Sequence, residues 1–330
     1  MWNRLVLYAV LGGCGFQSTA TPGGTLDGGP GRDSGGSGDG SDGGPVDGSS
    51  GADCLGQWLG GSVAISATTV AEVTELSTTG IGNDRNPWVS SDGLRMYFSR
   101  DQGTTTSSDI FFASRASAIE PFGPPGPVAN LNGSGHEGRV WLTPDELTLT
   151  ISSERNAPQI DIQMIQRNAG DSFGSPDRTH LTMVNSVGTT RNDPFLSADG
   201  LRLYLSSNSG PAGRLQLLLA TRSSTTADFG RPDLAPGIQD NGGNMADPTL
   251  YQDERVLVFS AFPPGSGNAD LWYATRSSAT GAFGAPIPIP GVNTAGIELD
   301  PVLGGDGCEL YFASNRRAGK LHLFRAQLTR

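Results

Sequence analysis

The sequence predicts an all-β fold, a five-bladed β-propeller of four-stranded blades closed by a strand from the N-terminal side. Three observations predict it. One segment recurs five times: NPWVSSDGLRMYFSR from Asn86, RVWLTPDELTLTISS from Arg139, DPFLSADGLRLYLSS from Asp193, DPTLYQDERVLVFSA from Asp247 and DPVLGGDGCELYFAS from Asp300. The turn aspartates Asp92, Asp145, Asp199, Asp253 and Asp306 stand 53, 54, 54 and 53 residues apart. Every copy alternates apolar and polar residues at the strand period, and helix-period patterns are absent.

Each element of a blade follows from local chemistry. A short apolar stretch (Trp88-Val89, Phe195-Leu196) meets an Asp-Gly or Asp-Glu turn and then an alternating run such as Leu94, Met96, Phe98, which makes a β-hairpin. A third strand follows: DIFFASR from Asp109, DIQMIQR from Asp161, QLLLATR from Gln216 and DLWYATR from Asp270. A Phe-Gly-x-Pro element at Phe122, Phe173, Phe229 and Phe283 leads into the fourth. The fifth copy stops after its third strand, Leu321 to Ala326. Its missing strand is expected from VAEVTELST, Val70 to Thr78, pairing with the Leu321 strand and removing the open edges. Six blades, one of them degenerate, is the alternative.

Ahead of the repeats the chain changes character. Residues 1–14 read as a lipoprotein signal peptide: Arg4, a short apolar run from Leu5 to Leu11, then Leu11-Gly12-Gly13-Cys14. That tetrapeptide resembles the bacterial lipobox, which implies lipidation of Cys14. A mis-assigned start or an ordinary cleaved signal is the other reading. Residues 15–53 are almost all Gly, Ser, Thr, Pro and Asp, with too few apolar side chains to offset the entropy of ordering. They read as a disordered tether, and residues 55–330 as the propeller. If Cys14 carries lipid, Cys54 and Cys308 form an even pair, and a bridge between them would fasten the two ends of the globular part. Two unpaired thiols is the other reading.

The formal charge is −11, and six aspartates against Arg32 place nearly half of it in the tether. No basic run or stripe is present and Lys320 is the only lysine, so phosphate-neutralising binding to nucleic acid is not expected. No apolar run is long enough to span a bilayer, so membrane contact is expected through the lipid anchor only.

The repeated Asp-Pro-x-Leu-Ser-x-Asp-Gly-x-x-x-Tyr-Phe, followed by the Asp-Ile-Tyr-like strand and Phe-Gly-x-Pro, resembles the WD40-like (PD40) repeats of TolB-like propellers, over Asp84 to Ala326. The resemblance implies an address in the bacterial cell envelope and binding to another envelope protein or a cell-wall component. Gly15 after the cysteine implies the outer membrane or cell surface over the inner membrane. A monomer is expected. The second copy departs most, with Arg139-Val140 for Asp-Pro and Glu146 for Gly. The fourth has Glu254 for that Gly, and both departures put turn geometry in question.

Candidate chemistry gathers where the innermost strands begin. Aligning the copies puts Asn86, Arg139, Asp193, Asp247 and Asp300 at one level. Asp84, Glu137, Arg191, Met245 and Glu298 stand two residues earlier, expected to face the same side. Such a carboxylate-rich mouth would bind a cation, a sugar or a basic peptide end, and a pair of its carboxylates would suit glycoside hydrolysis. A residue recurring once per blade also suits a job done once per blade, such as satisfying backbone N–H groups. Asp109, Asp161 and Asp270, and Arg115, Arg167, Arg222 and Arg276, read as scaffolding of that kind. His136, His180 and His322 show no metal-ligand spacing, and no catalytic residue, metal ligand or cofactor is assigned. No nucleophile elbow, phosphate loop or dinucleotide fingerprint is present. Three functions remain open: a non-enzymatic scaffold or recognition module, a carbohydrate-binding or glycoside-hydrolysing propeller, and a calcium-stabilised structural module.

Overall fold

The computed structural model describes residues 54–59, 65–77, 82–101, 107–155, 159–168, 172–251, 253–305, 307–317 and 319–329. The signal peptide, Cys14 and the tether lie outside the described residues, as does Asp306.

A short helix, α1 (Cys54–Leu59), and strand β1 (Ser66–Glu72) precede five blades. The first is β2 (Asp84–Val89), β3 (Arg95–Asp101), β4 (Ser108–Ser114) and β5 (Gly126–Pro127). The second is β6 (Glu137–Leu142), β7 (Thr148–Ser153) and β8 (Asp161–Gln166), with its outermost strand reduced to a bridge between Met164 and Asp177. The third holds β9 (Arg191–Leu196), β10 (Arg202–Ser207), β11 (Gln216–Thr221) and β12 (Asp233–Leu234). The fourth holds β13 (Asn244–Tyr251), β14 (Val256–Phe262), β15 (Asp270–Thr275) and β16 (Ile287–Pro288). The fifth holds β17 (Glu298–Leu303), β18 (Glu309–Ser314) and β19 (His322–Thr329), completed by β1.

The innermost strands touch in a cycle, β2 to β6 to β9 to β13 to β17 and back to β2. The ring therefore has five blades, and the six-bladed alternative falls. Closure works as expected but in a shifted register. The closing strand pairs Val70 with Ala326 and Glu72 with Phe324, beginning at Ser66 and ending six residues short of Thr78. It stops because Leu76 turns its N–H back onto the Val73 carbonyl, 3.1 Å away. Helix α1 breaks the otherwise all-strand pattern. Cys54 at its start is disulfide-bonded to Cys308, 254 residues away. Its Trp58 donates to the Gly307 carbonyl at 3.0 Å and packs edge-on against Tyr273.

The core lies between blades. Side chains of the second strands (Phe98, Leu149, Leu203, Phe259, Phe312) are fully buried, as period-2 alternation between two covered faces requires. After the third strand, the recurrent arginines lie flat on the Phe-Gly-x-Pro rings. Arg115 stands 4.4 Å from Phe122, Arg167 5.7 Å from Phe173, Arg222 4.4 Å from Phe229 and Arg276 4.2 Å from Phe283. The turn aspartates cap their own hairpins: Asp92, Asp145 and Asp199 each accept the N–H two residues on at 3.0 Å, plus a Ser or Thr hydroxyl. These bonds hold the three carboxyls below the usual range against the opposing effect of burial.

Candidate functional site

Every innermost strand carries a β-bulge where the repeat begins, two of its residues standing opposite one residue of the second strand before pairing resumes. In four blades the bulged residue is left-handed: Asn86, Asp193, Asp247 and Asp300, with φ between 52° and 59°. Asn and Asp tolerate that region, which explains why the repeat asks for them. Turned inward by the bulge, each carboxylate links one blade to the next. Asp193 accepts the Asp247 N–H at 3.4 Å, Asp247 accepts the Asp300 N–H at 3.2 Å, and Asp300 accepts the Asn86 N–H at 3.2 Å. Hydroxyls of Ser206 and Ser260 donate to the same oxygens of Asp193 and Asp247.

Arg139 breaks this ring chemically and fills it physically. It reaches across the axis to the Pro301 carbonyl at 3.0 Å, and only 1 % of it is exposed. Its positive charge opposes the burial and the Asp247 charge that push Asp193 up to about 7 and raise Asp300 well above the carboxylate range. Its Nε and Nη1 have no hydrogen-bond partner among the described residues.

The residues two positions earlier do not join them. Because the bulge adds a residue, Asp84 and Asn86 leave the strand on opposite faces: Asn86 meets Ser99, and Asp84 meets the next residue, Arg100. Asp84, Glu137 and Glu298 instead form buried pairs with Arg100 (2.6 Å), Arg155 (4.0 Å) and Arg316 (3.1 Å). Those arginines donate to the Leu76, Leu131 and Val292 carbonyls of the preceding connection. In the third blade the charges are exchanged, and Arg191 pairs with Asp161 of the second blade. The expectation that both levels line one mouth is therefore corrected: the second level latches blades together away from the axis.

At the opposite end, where the inner hairpins turn, four of the five blade joints are closed, each differently. Glu146 of the second blade grips Arg95 of the first (2.5 Å) and its own Arg167 (2.7 Å). Glu254 of the fourth grips Arg202 of the third (2.7 Å) and its own buried Arg276 (3.4 Å), which also bonds the Tyr204 hydroxyl at 2.9 Å. Arg115 of the first blade meets the Tyr311 hydroxyl of the fifth at 3.3 Å, and Trp58 covers the joint of the fourth and fifth. The glutamates sit left-handed, φ 56° and 62°, where the other three blades have Gly93, Gly200 and Gly307. The two departures noted in the repeat are thus the clasp residues, a signal present in the sequence but visible there only as lost glycines.

The joint between the second and third blades has no clasp. Thr150 stands where Tyr204 and Tyr311 stand, its hydroxyl turned to the Trp141 carbonyl, and Gly200 stands where Glu254 does. A cleft of about 630 Å³ opens there, floored by Met164, Leu181 and Leu196 and rimmed by Asp145, Asp177, Asp199 and Arg222.

The histidines lie apart. His136 is half-buried beside the Ser108 hydroxyl (2.9 Å), and desolvation with Arg85 nearby lowers it to about 4. His180 bonds Asp228 at 2.8 Å. Among the described residues no three His, Cys, Asp or Glu side chains converge as a metal site.

No protein-family model matches the chain, and no curated protein matches it. Solved structures do. The chain is similar to a thermostable family-43 glycoside hydrolase at 15 % identity and TM-score 0.52, over 76 % of this chain and 89 % of that one. It is similar to the catalytic domain of a GH62 α-L-arabinofuranosidase of Coprinopsis cinerea at 15 % identity and TM-score 0.54, over 81 % and 98 %. It also matches TolB from Acinetobacter baumannii at 12 % identity and TM-score 0.44, over 74 % and 54 %. At these identities the likeness is one of fold.

Proposed function

We propose that this chain is a non-enzymatic recognition propeller of the bacterial envelope, held by lipid on Cys14 and binding an envelope protein or a cell-wall component. The observation that carries this reading is how the ring carboxylates are used. Asp193, Asp247 and Asp300 each accept a backbone N–H from the next blade, and Arg139 occupies the axis between them. Glycoside hydrolysis needs two carboxylates open to a sugar on both sides of its bond. Buried, bridging carboxylates are instead suited to holding blades in register. The full chain should sediment with membranes and be released by Cys14→Ser, and in detergent it should capture one defined envelope component. Equal sedimentation of both forms, or no capture, overturns the reading.

One observation favours hydrolysis as a second reading: Asp193 is raised to about 7 by burial and by the neighbouring charge of Asp247, which suits a general acid. Release of reducing ends from envelope glycans, lost in Asp193→Asn, would establish it. A calcium-stabilised module is tested by melting with and without chelator, since only a bound ion makes the transition chelator-sensitive.

A further inference from the structure

A function carried by one site should sit where one blade differs from the rest, and the joint of the second and third blades is that place. Its Arg222 keeps the scaffold contacts of the other repeat arginines, lying on Phe229 and donating from Nε to the Gly200 carbonyl at 2.7 Å. Arg115 and Arg276 go on to bond a tyrosine hydroxyl on the neighbouring blade through Nη2, and a carbonyl five residues on in their own blade (Glu120, Gly281) through Nη1. Arg222 has Thr150 in place of the tyrosine that Nη2 would reach, and its Nη2 lies beside Gly200 at the cleft. Separately, its buried Nη1 has no hydrogen-bond partner among the described residues. Burial alone lowers the Arg222 guanidinium; no carboxylate stands near enough to offset it. Asp145 and Asp177 on the rim are held below the usual carboxylate range by the hydrogen bonds of their own turns. Asp199 is held there, against burial, by its turn and by Arg202, which pairs with its second oxygen at 2.9 Å; none of the three offsets the burial of Arg222. The cleft thus offers an uncompensated planar cation at one point, spare carboxylate lone pairs at others, and a small apolar floor.

We propose that this cleft binds an acidic polyol, a uronic acid unit of a glycan, with its carboxylate on Arg222 and its hydroxyls on Asp145, Asp177 and Asp199. A guanidinium presents the planar fork that a carboxylate fits. Sugar hydroxyls are donors matched to carboxylates, and the C–H face of a pyranose matches Met164 and Leu196. The site does not depend on the lipid anchor or on a protein partner, so failure of the membrane assay leaves it standing.

The repeat itself supplies the variant that closes the cleft. Gly200 has φ 70°, and Glu146 and Glu254 already occupy the same turn position with positive φ. A Cβ there would meet the ends of Thr225 and Arg222 at 3.3 and 3.4 Å, both movable. Gly200→Glu should therefore fold and place a carboxylate on Arg222, as Glu254 does on Arg276. The experiment is calorimetric titration of the full chain with a trimer of galacturonic acid, beside its methyl ester, which keeps the hydroxyls and removes the charge. Saturable binding is expected, at least tenfold weaker for the ester, and at least tenfold weaker in Gly200→Glu and in Arg222→Met. Absence of saturable binding overturns the proposal, and so does an ester that binds as well as the acid. Unchanged affinity in either variant with a wild-type melting curve also overturns it, because the ligand would then sit elsewhere.

Discussion

The joint between the third and fourth blades and the joint between the second and third are built from the same repeat, yet one is locked and the other open. At the first, Asp193 accepts the Asp247 N–H on the axis, and Glu254 collects Arg202, Arg276 and Tyr204 at the turn end. At the second, Arg139 replaces the accepting carboxylate, and Thr150 and Gly200 replace the tyrosine and glutamate. Packing survives in both. Trp141 lies 4.3 Å from the Phe195 ring and donates to the Leu196 carbonyl at 3.1 Å, and Arg191 still pairs with Asp161. The apolar grammar of a repeat sets where its neighbour goes. A few polar positions then decide whether the joint is sealed, because a repeat array is stabilised interface by interface.

The comparison can be broken by removing what locks one joint. Glu254→Ala leaves buried Arg276 without its counter-charge and should cost about 3–5 kcal/mol, read as a fall in the denaturant midpoint. Replacing Cys54 and Cys308 together by Ser frees α1 from the fourth and fifth blades and should cost about 2–4 kcal/mol, the usual worth of a bridge closing a long loop. Arg222→Met should cost only about 1 kcal/mol, since at the open joint it loses one hydrogen bond and a ring contact. If Arg222→Met proves as costly as Glu254→Ala, the open joint is locked by something other than the missing clasp.

The last prediction concerns a slope rather than a loss, and sharpens the comparison on the axis. Asp193 keeps its proton in the folded protein up to about pH 7, whereas an unfolded aspartate releases it near 3.8. Its contribution is therefore full below that value and is lost as pH rises through 7. His136, lowered to about 4, acts oppositely: its contribution is present above 6.5 and is lost as pH falls through 4. In the wild type Asp193, with Asp300 shifted in the same direction, works against His136. Melting temperatures of Asp193→Asn should fall more steeply than the wild type's on acidification from pH 7 to pH 5. Parallel curves would mean that Asp193 is ionised in the folded state.

Much of this was legible in one dimension. The 53- and 54-residue spacing, the Asp-Gly turns and the alternating runs report local geometry, and they define five blades and the need for a closing strand. The site was legible only in part. Asp193, Asp247 and Asp300 do meet at the axis, but Asp84, Glu137 and Glu298 turn away, because the bulge in each innermost strand, left-handed in four of the five, reverses the alternation on which the alignment relied. Glu146 and Glu254 read as damaged turns, since a clasp consists of two blades and neither blade's segment contains its partner.

What the sequence determined by itself is everything that depends on neighbours a few residues apart: strand period, turn chemistry, and the repeat that fixes the number of blades. What only the tertiary structure decided is how position 54 residues on completes position now. That includes which carboxylate takes the next blade's N–H, where Arg139 lands across the axis, and that a cleft opens beside Arg222 at the joint where Thr150 stands in the tyrosine's place. Those outcomes follow from ring closure, which brings side chains of different repeats within bonding distance at angles that no single repeat specifies.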